Sequence, residues 1–207
     1  MPAPLAYFLT FTCYGQRLRG DARGSIDDDH NIPGTPTIPP NAALHAEEFS
    51  RLKSPPVTLS PQQRELADAT IASYCESRRW LLITRNVRTT HAHVLVAAAN
   101  IDPGRAMADI KAAITNALRQ AGLFSPTHDP WTRHGSTRWI NHTPGLRGAI
   151  AYINDWQDGP NRQVLEARRT ALRQRIAEFR EWQRQQARLA LGPENERPAI
   201  KPNDARW

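Results

Sequence analysis

Two imidazoles, His91 and His93, stand two residues apart at the head of the apolar run Val94-Leu95-Val96. In an extended strand, residues i and i+2 point to one face about 6.7 Å apart, so both rings can reach one divalent ion. Farther on, Tyr152 sits among small residues in Gly148-Ala149-Ile150-Ala151-Tyr152, which leaves room for a bulky substrate. A phenol, with a pKa of about 10 in water, is a weak nucleophile near neutral pH. A metal that polarises the phosphate under attack removes that obstacle. The histidine pair and the tyrosine thus account for one another as two halves of a phosphoryl-transfer site. The ordinary alternatives are solvated strand histidines and a core tyrosine with its hydroxyl at the rim.

The elements that must position these groups are legible from pattern. Leu5 to Tyr14 is aromatic and β-branched without glycine or proline, and reads as a buried first strand. From Gly15 to about Ser60 the pattern dissolves into a long loop of repeated prolines, with a short helix at Ala42 to Lys53. The loop carries an acidic cluster, Asp27-Asp28-Asp29-His30, which reads as solvated turn residues or a second metal site. Ser60-Pro61 caps a helix running to Cys75, and Trp80 to Val87 pairs with the histidine strand as an antiparallel hairpin. Asp102-Pro103 opens a helix whose Met107, Ile110, Ile114 and Leu118 form one apolar face. Trp131 to Arg133 and Ser136 to Ile140 supply a further strand or edge segment, and Thr143-Pro144 begins the helix of Tyr152, which stops at Gly159-Pro160. The expected class is α+β: a ferredoxin-like split β-α-β sandwich, an antiparallel sheet with helices on one face.

Composition narrows the function classes. Among 27 basic residues only three are lysine, and the net charge is +7. Arginine forks onto phosphate and stacks on bases, so this balance favours a nucleic-acid partner, although a high-GC genome produces the same bias. Cys13 and Cys75 form neither a disulfide framework nor a metal knuckle. No apolar run has membrane-spanning length, and the opening residues lack a signal-peptide pattern, so a cytoplasmic, nucleoid-associated protein is expected. Residues 161–191 contain eight arginines against three glutamates and no glycine or proline, which predicts a long helix that packs by one face and offers arginines on the other. Residues 192–207 read as a flexible tail. The organisation expected is therefore a catalytic domain over 1–160 interrupted by the loop at 15–59, then the basic helix and the tail.

The aromatic first strand, the His-x-His of Arg88-Thr89-Thr90-His91-Ala92-His93-Val94, the segment Trp131-Thr132-Arg133-His134-Gly135-Ser136-Thr137-Arg138 and the later helical tyrosine together resemble the HUH single-tyrosine transposases of insertion sequences. Within them the chain is most like the REP-associated tyrosine transposases and related transposase-like proteins. The resemblance runs from about Tyr7 to Gln157. It implies a homodimer that cleaves single-stranded DNA beside a hairpin, leaving a 5′-phosphotyrosine and a free 3′-hydroxyl, with no organic cofactor. His91 and His93 would hold Mg²⁺ or Mn²⁺, although imidazole pairs equally suit zinc. The family places a polar third ligand about one turn after the tyrosine, where this chain has Trp156. Gln157 is the ligand the resemblance favours. Asp155 is the geometric rival, about 60° from Tyr152 around an ideal helix against about 140° for Gln157. Arg133, His134, Arg138 and Arg147 are candidate phosphate clamps, and Arg85 and Arg88 flank the histidine strand as DNA contacts or solvated turn residues. Trp131, Trp139 or Trp156 would stack on an unpaired base or fill the core. Two other readings compete: a domesticated, non-catalytic binder of structured single-stranded DNA or RNA, and a metallohydrolase built on Asp27 to His30.

Overall fold

The computed structural model describes residues 4–25, 38–98, 100–155 and 162–191. Its elements run β1 (Ala6–Thr12), α1 (Ala42–Ser50), α2 (Pro61–Ser77), β2 (Leu81–Val87), β3 (His91–Ala97), α3 (Pro103–Gln120), β4 (Ser136–Ile140), α4 (Thr143–Asp155) and α5 (Arg162–Leu191). The strands form one antiparallel sheet in the order β2-β3-β1-β4. β1 and β3 occupy the centre, which explains their near-continuous apolar character: both faces of each strand are covered. The α+β class, the antiparallel sheet and the C-terminal helix are those expected.

The helices depart from expectation in covering two faces of the sheet. α2 and α3 bury Ala67, Ile71, Ile110, Ile114 and Leu118 against Leu9, Phe11, Ala92, Val94 and Val96. On the opposite face, Leu146, Ala149, Ile150 and Ile153 of α4 and Phe179 of α5 close over Ala6, Phe8, Leu95, Ala97 and Ile140. The reason lies in the strands, where alternate residues face opposite ways and both alternating sets are apolar. An uncovered second face would leave these side chains in water.

Local chemistry sets the ends of the elements. Ser60 accepts from the Gln63 amide while the Gln63 side chain accepts from the Ser60 amide, a reciprocal cap that fixes the start of α2 behind Pro61. Asp102 caps α3 in the same position before Pro103. The register of β2 against β3 slips between Leu82 and Thr84, and the carbonyl of the bulged Ile83 accepts a hydrogen bond from Arg175 of α5. Within the long loop, α1 ends three residues earlier than expected, at Ser50. Trp131 joins the sheet through a single bridge to Cys13, not as a strand. The Asp27 to His30 cluster, Trp156, Gln157 and the expected tail at 192–207 lie outside the described residues.

Candidate metal and nucleophile site

Directly opposed residues of antiparallel strands share a face, so the register shows what surrounds the histidines. Asn86 lies opposite His93, His93 opposite Thr10, and Thr10 opposite Ser136, a polar row that crosses all four strands. The neighbouring row runs Thr84, Leu95, Phe8, Arg138. Both rows lie on the face that α4 covers. Ala92, between the two histidines, points the other way into the α2–α3 core with no exposed surface.

α4 brings Tyr152 to this face. Its ring centroid lies 5.4 Å from that of His93 and 5.9 Å from that of Phe8, both edge-on, and the His91 and His93 rings are 4.8 Å apart. Tyr152 keeps 39 % of its surface exposed, so the phenol stands at the mouth of the site with the imidazoles beneath it. Two bonds fix the end of the helix that carries it. Thr84 donates to Asn154 Oδ1 at 2.7 Å, and Asn86 Nδ2 donates to the Ile153 carbonyl at 3.1 Å.

His93 is the better defined candidate of the two. It is buried, its Nδ1 lies 2.9 Å from Thr10 Oγ1, and its Nε2 is buried without a hydrogen-bond partner. Burial, with His91 and Arg88 adding positive charge nearby, pushes its pKa down to about 4, which keeps the ring neutral and a nitrogen lone pair available. A buried imidazole anchored through Nδ1 with an unsatisfied Nε2 fits a metal ligand, because the anchoring partner sets ring orientation. His91 is half-buried, with Nδ1 3.2 Å from Thr90 Oγ1. The pair therefore fits a divalent cation. Among the described residues no cluster of three His, Cys, Asp or Glu side chains supplies a third ligand, and the two sequence candidates, Gln157 and the side chain of Asp155, are outside that set.

The proposed DNA-contacting residues divide. Arg138 is exposed on the site face of the edge strand, opposite Phe8, and Arg147 is exposed on α4. Arg133 and His134 are exposed in the segment before β4. Arg88 is half-buried in the turn between β2 and β3, where its amide donates to the His91 carbonyl. Arg85 is not at this site: it lies opposite Val94, whose side chain enters the α2–α3 core, and its guanidinium pairs with Asp68 of α2 at 2.6 Å. Period-2 alternation separates Arg85 from the site face, because Thr84 and Asn86 occupy that face on either side of it. Trp131, buried edge-on to Phe11, and Trp139, 56 % exposed against Tyr7, both lie on the face of the sheet opposite the histidines.

Several positioning groups lie in the same neighbourhood. Lys111 of α3 donates to the carbonyls of Thr132 and Arg133 at 2.5 and 3.2 Å, tying down the segment that holds Arg133 and His134. A Cβ at Gly135 would lie 2.6 Å from both the Thr10 carbonyl and Met107 Sδ, so only glycine lets this segment lie against β1 beside Thr10. Nothing in the linear spacing marks Thr10, Lys111 or Gly135, whose roles arise from cross-strand pairing. No protein-family model matches the chain, and no curated protein matches it.

Proposed function

We propose that the chain is a DNA-strand transferase of the HUH single-tyrosine kind, acting on single-stranded DNA beside a hairpin, with Tyr152 as nucleophile and Mg²⁺ or Mn²⁺ held by His91 and His93. The observation that carries this reading is the Tyr152 ring edge-on to His93, which itself lies against His91 on the same sheet face and keeps its Nε2 buried and unpartnered. Gln157 is the third ligand in this reading, and a homodimer is its working form.

Tyr152 Oη attacks the scissile phosphorus, and the bond from phosphorus to the 3′ oxygen breaks with its electron pair on that oxygen. The oxygen takes a proton from solvent and ends as a free 3′-hydroxyl, the 5′ side of the DNA stays on Tyr152 as a phosphotyrosine, and the phenolic proton passes to the solvent that Tyr152 faces. Attack by a 3′-hydroxyl on the same phosphorus runs the step backwards and rejoins strands. A bound divalent ion supplies Lewis-acid charge at a non-bridging phosphate oxygen. Thr10 fixes the His93 ring through Nδ1, so Nε2 is aimed before any ligand arrives. Arg138 and Arg147 offer forked donors to the flanking backbone from β4 and α4.

A labelled hairpin oligonucleotide incubated with Mn²⁺ tests the reading. The expected product is a covalent protein–DNA adduct on a denaturing gel, reduced about a thousandfold or more in Tyr152→Phe and in chelator. An adduct that persists in the phenylalanine variant overturns the assignment of the nucleophile. Tight hairpin binding with no adduct under any metal points to the non-catalytic binder, a reading that Trp156 in place of a polar ligand favours.

A further inference from the structure

A cleft of about 450 Å³ opens at the free edge of the sheet, where the first half of α2 and the end of α4 flank β2. Its volume falls within the range of about 300–1,000 Å³ typical of small-ligand sites. Arg64, Glu65 and Asp68 line it from one stripe of α2, Arg85 and Asn86 from β2, and Asn154 from α4. Two of these cations are underused. The Nε atoms of Arg64 and Arg85 are both buried without a partner, and Arg85 reaches Asp68 through Nη2 alone. The guanidiniums of Arg64 and Arg85 thus share one space with two carboxylates and two amides.

This sign balance selects the ligand. A bare phosphate would meet Glu65 and Asp68 as well as the arginines, and a cation would meet the reverse. A group bearing acceptors on one edge and donors on the next satisfies both sets, and unpaired nucleobases have that character. Among them guanine presents two adjacent acceptors, O6 and N7, which match the fork of an arginine, while its N1–H and N2–H groups suit a carboxylate. The cleft also adjoins the proposed chemistry. Asn86 is the cross-strand partner of His93, and Ile153, on the cleft wall, follows Tyr152. A strand whose phosphate lies at Tyr152 has its neighbouring nucleotides within reach of this edge.

We infer that the Arg64–Asp68–Arg85 cleft reads one unpaired guanine in the single strand flanking the phosphate attacked by Tyr152. The inference rests on the reading of the chain as a single-strand DNA enzyme and adds to it a source of sequence preference outside the reacting centre. Arg64 forks onto O6 and N7, and Asp68 and Glu65 take the donor edge.

The test uses the full chain and a hairpin DNA with a randomised single-stranded flank, selected by binding and sequenced. The expected result is enrichment of guanine by about tenfold at one flank position. That enrichment disappears in Arg64→Lys, which keeps the charge and loses the fork, and in Asp68→Asn, while Tyr152→Phe retains it. Thermal melting of each variant verifies folding, and two independent substitutions guard against one that fails to fold. A flank preference unchanged in both cleft variants overturns the assignment while leaving the tyrosine reading intact, as does enrichment of another base. Failure of the unsubstituted chain to bind any hairpin pool overturns both readings, and hairpin adducts formed with no flank preference overturn the cleft alone.

Discussion

At the scale of single residues, His93 couples the candidate site to the stability of the fold. The ring is buried between Phe8 and Tyr152, and its pKa falls from 6.5 to about 4 because burial and the nearby charges of His91 and Arg88 oppose a proton. The unfolded chain binds that proton at a higher pH than the folded one, so the neutral ring's contribution is complete above about pH 6.5 and is lost as pH drops towards 4. Urea unfolding in chelator is expected to show up to roughly 3 kcal/mol of destabilisation over this window beyond that of His93→Gln. Parallel pH curves for the two proteins would refute the assignment. The sequence indicated that the two imidazoles share a face. It did not indicate which of them would be buried, since that depends on Thr10 and Phe8 lying opposite in β1.

At the scale of elements, α4 presents Tyr152, the proposed nucleophile, and Gly148 is the more informative of its two glycines. Gly148 is exposed one turn before Tyr152, and a Cβ there would meet nothing within 4 Å. A glycine inside a helix costs about 0.5–1 kcal/mol relative to alanine, so packing gives no reason for it. Helical side chains lean towards the N-terminus, which puts the Tyr152 ring over this bare turn and leaves its approach open. Gly148→Ala is expected to raise the melting temperature by a few degrees, and Gly148→Leu to fold normally yet lose most adduct formation with the hairpin probe. Full adduct yield from the leucine variant would show that the open turn has no role in access. The small flanking residues of Tyr152 were visible in the chain. The two bonds from Thr84 and Asn86 that lock the end of α4 were not, because they join residues about 70 positions apart.

For the whole molecule, a net charge of +7 carried almost wholly by arginine sets how a polyanion would be met. Binding of single-stranded DNA is expected to weaken linearly on a logarithmic salt scale, with a slope of about −0.7 for each phosphate neutralised. Arg138→Gln should make that slope shallower by about that amount and leave any flank preference unchanged. An unaltered slope would remove Arg138 from the interface. Among the described residues no helix is long and apolar enough to cross a membrane. The sequence by itself determined the α+β class, the identity of nearly every strand and helix, and the parity that gives His91 and His93 a common face. These follow from local periodicity and capping, which adjacent residues specify. Only the tertiary structure decided that α4 covers the histidine face, that Arg85 turns away from it towards Asp68, and that Arg64 and Arg85 share a cleft at the sheet edge. Those outcomes depend on strand order and register, which are fixed by burying apolar side chains on both faces of the sheet at once, a condition that no stretch of sequence expresses alone.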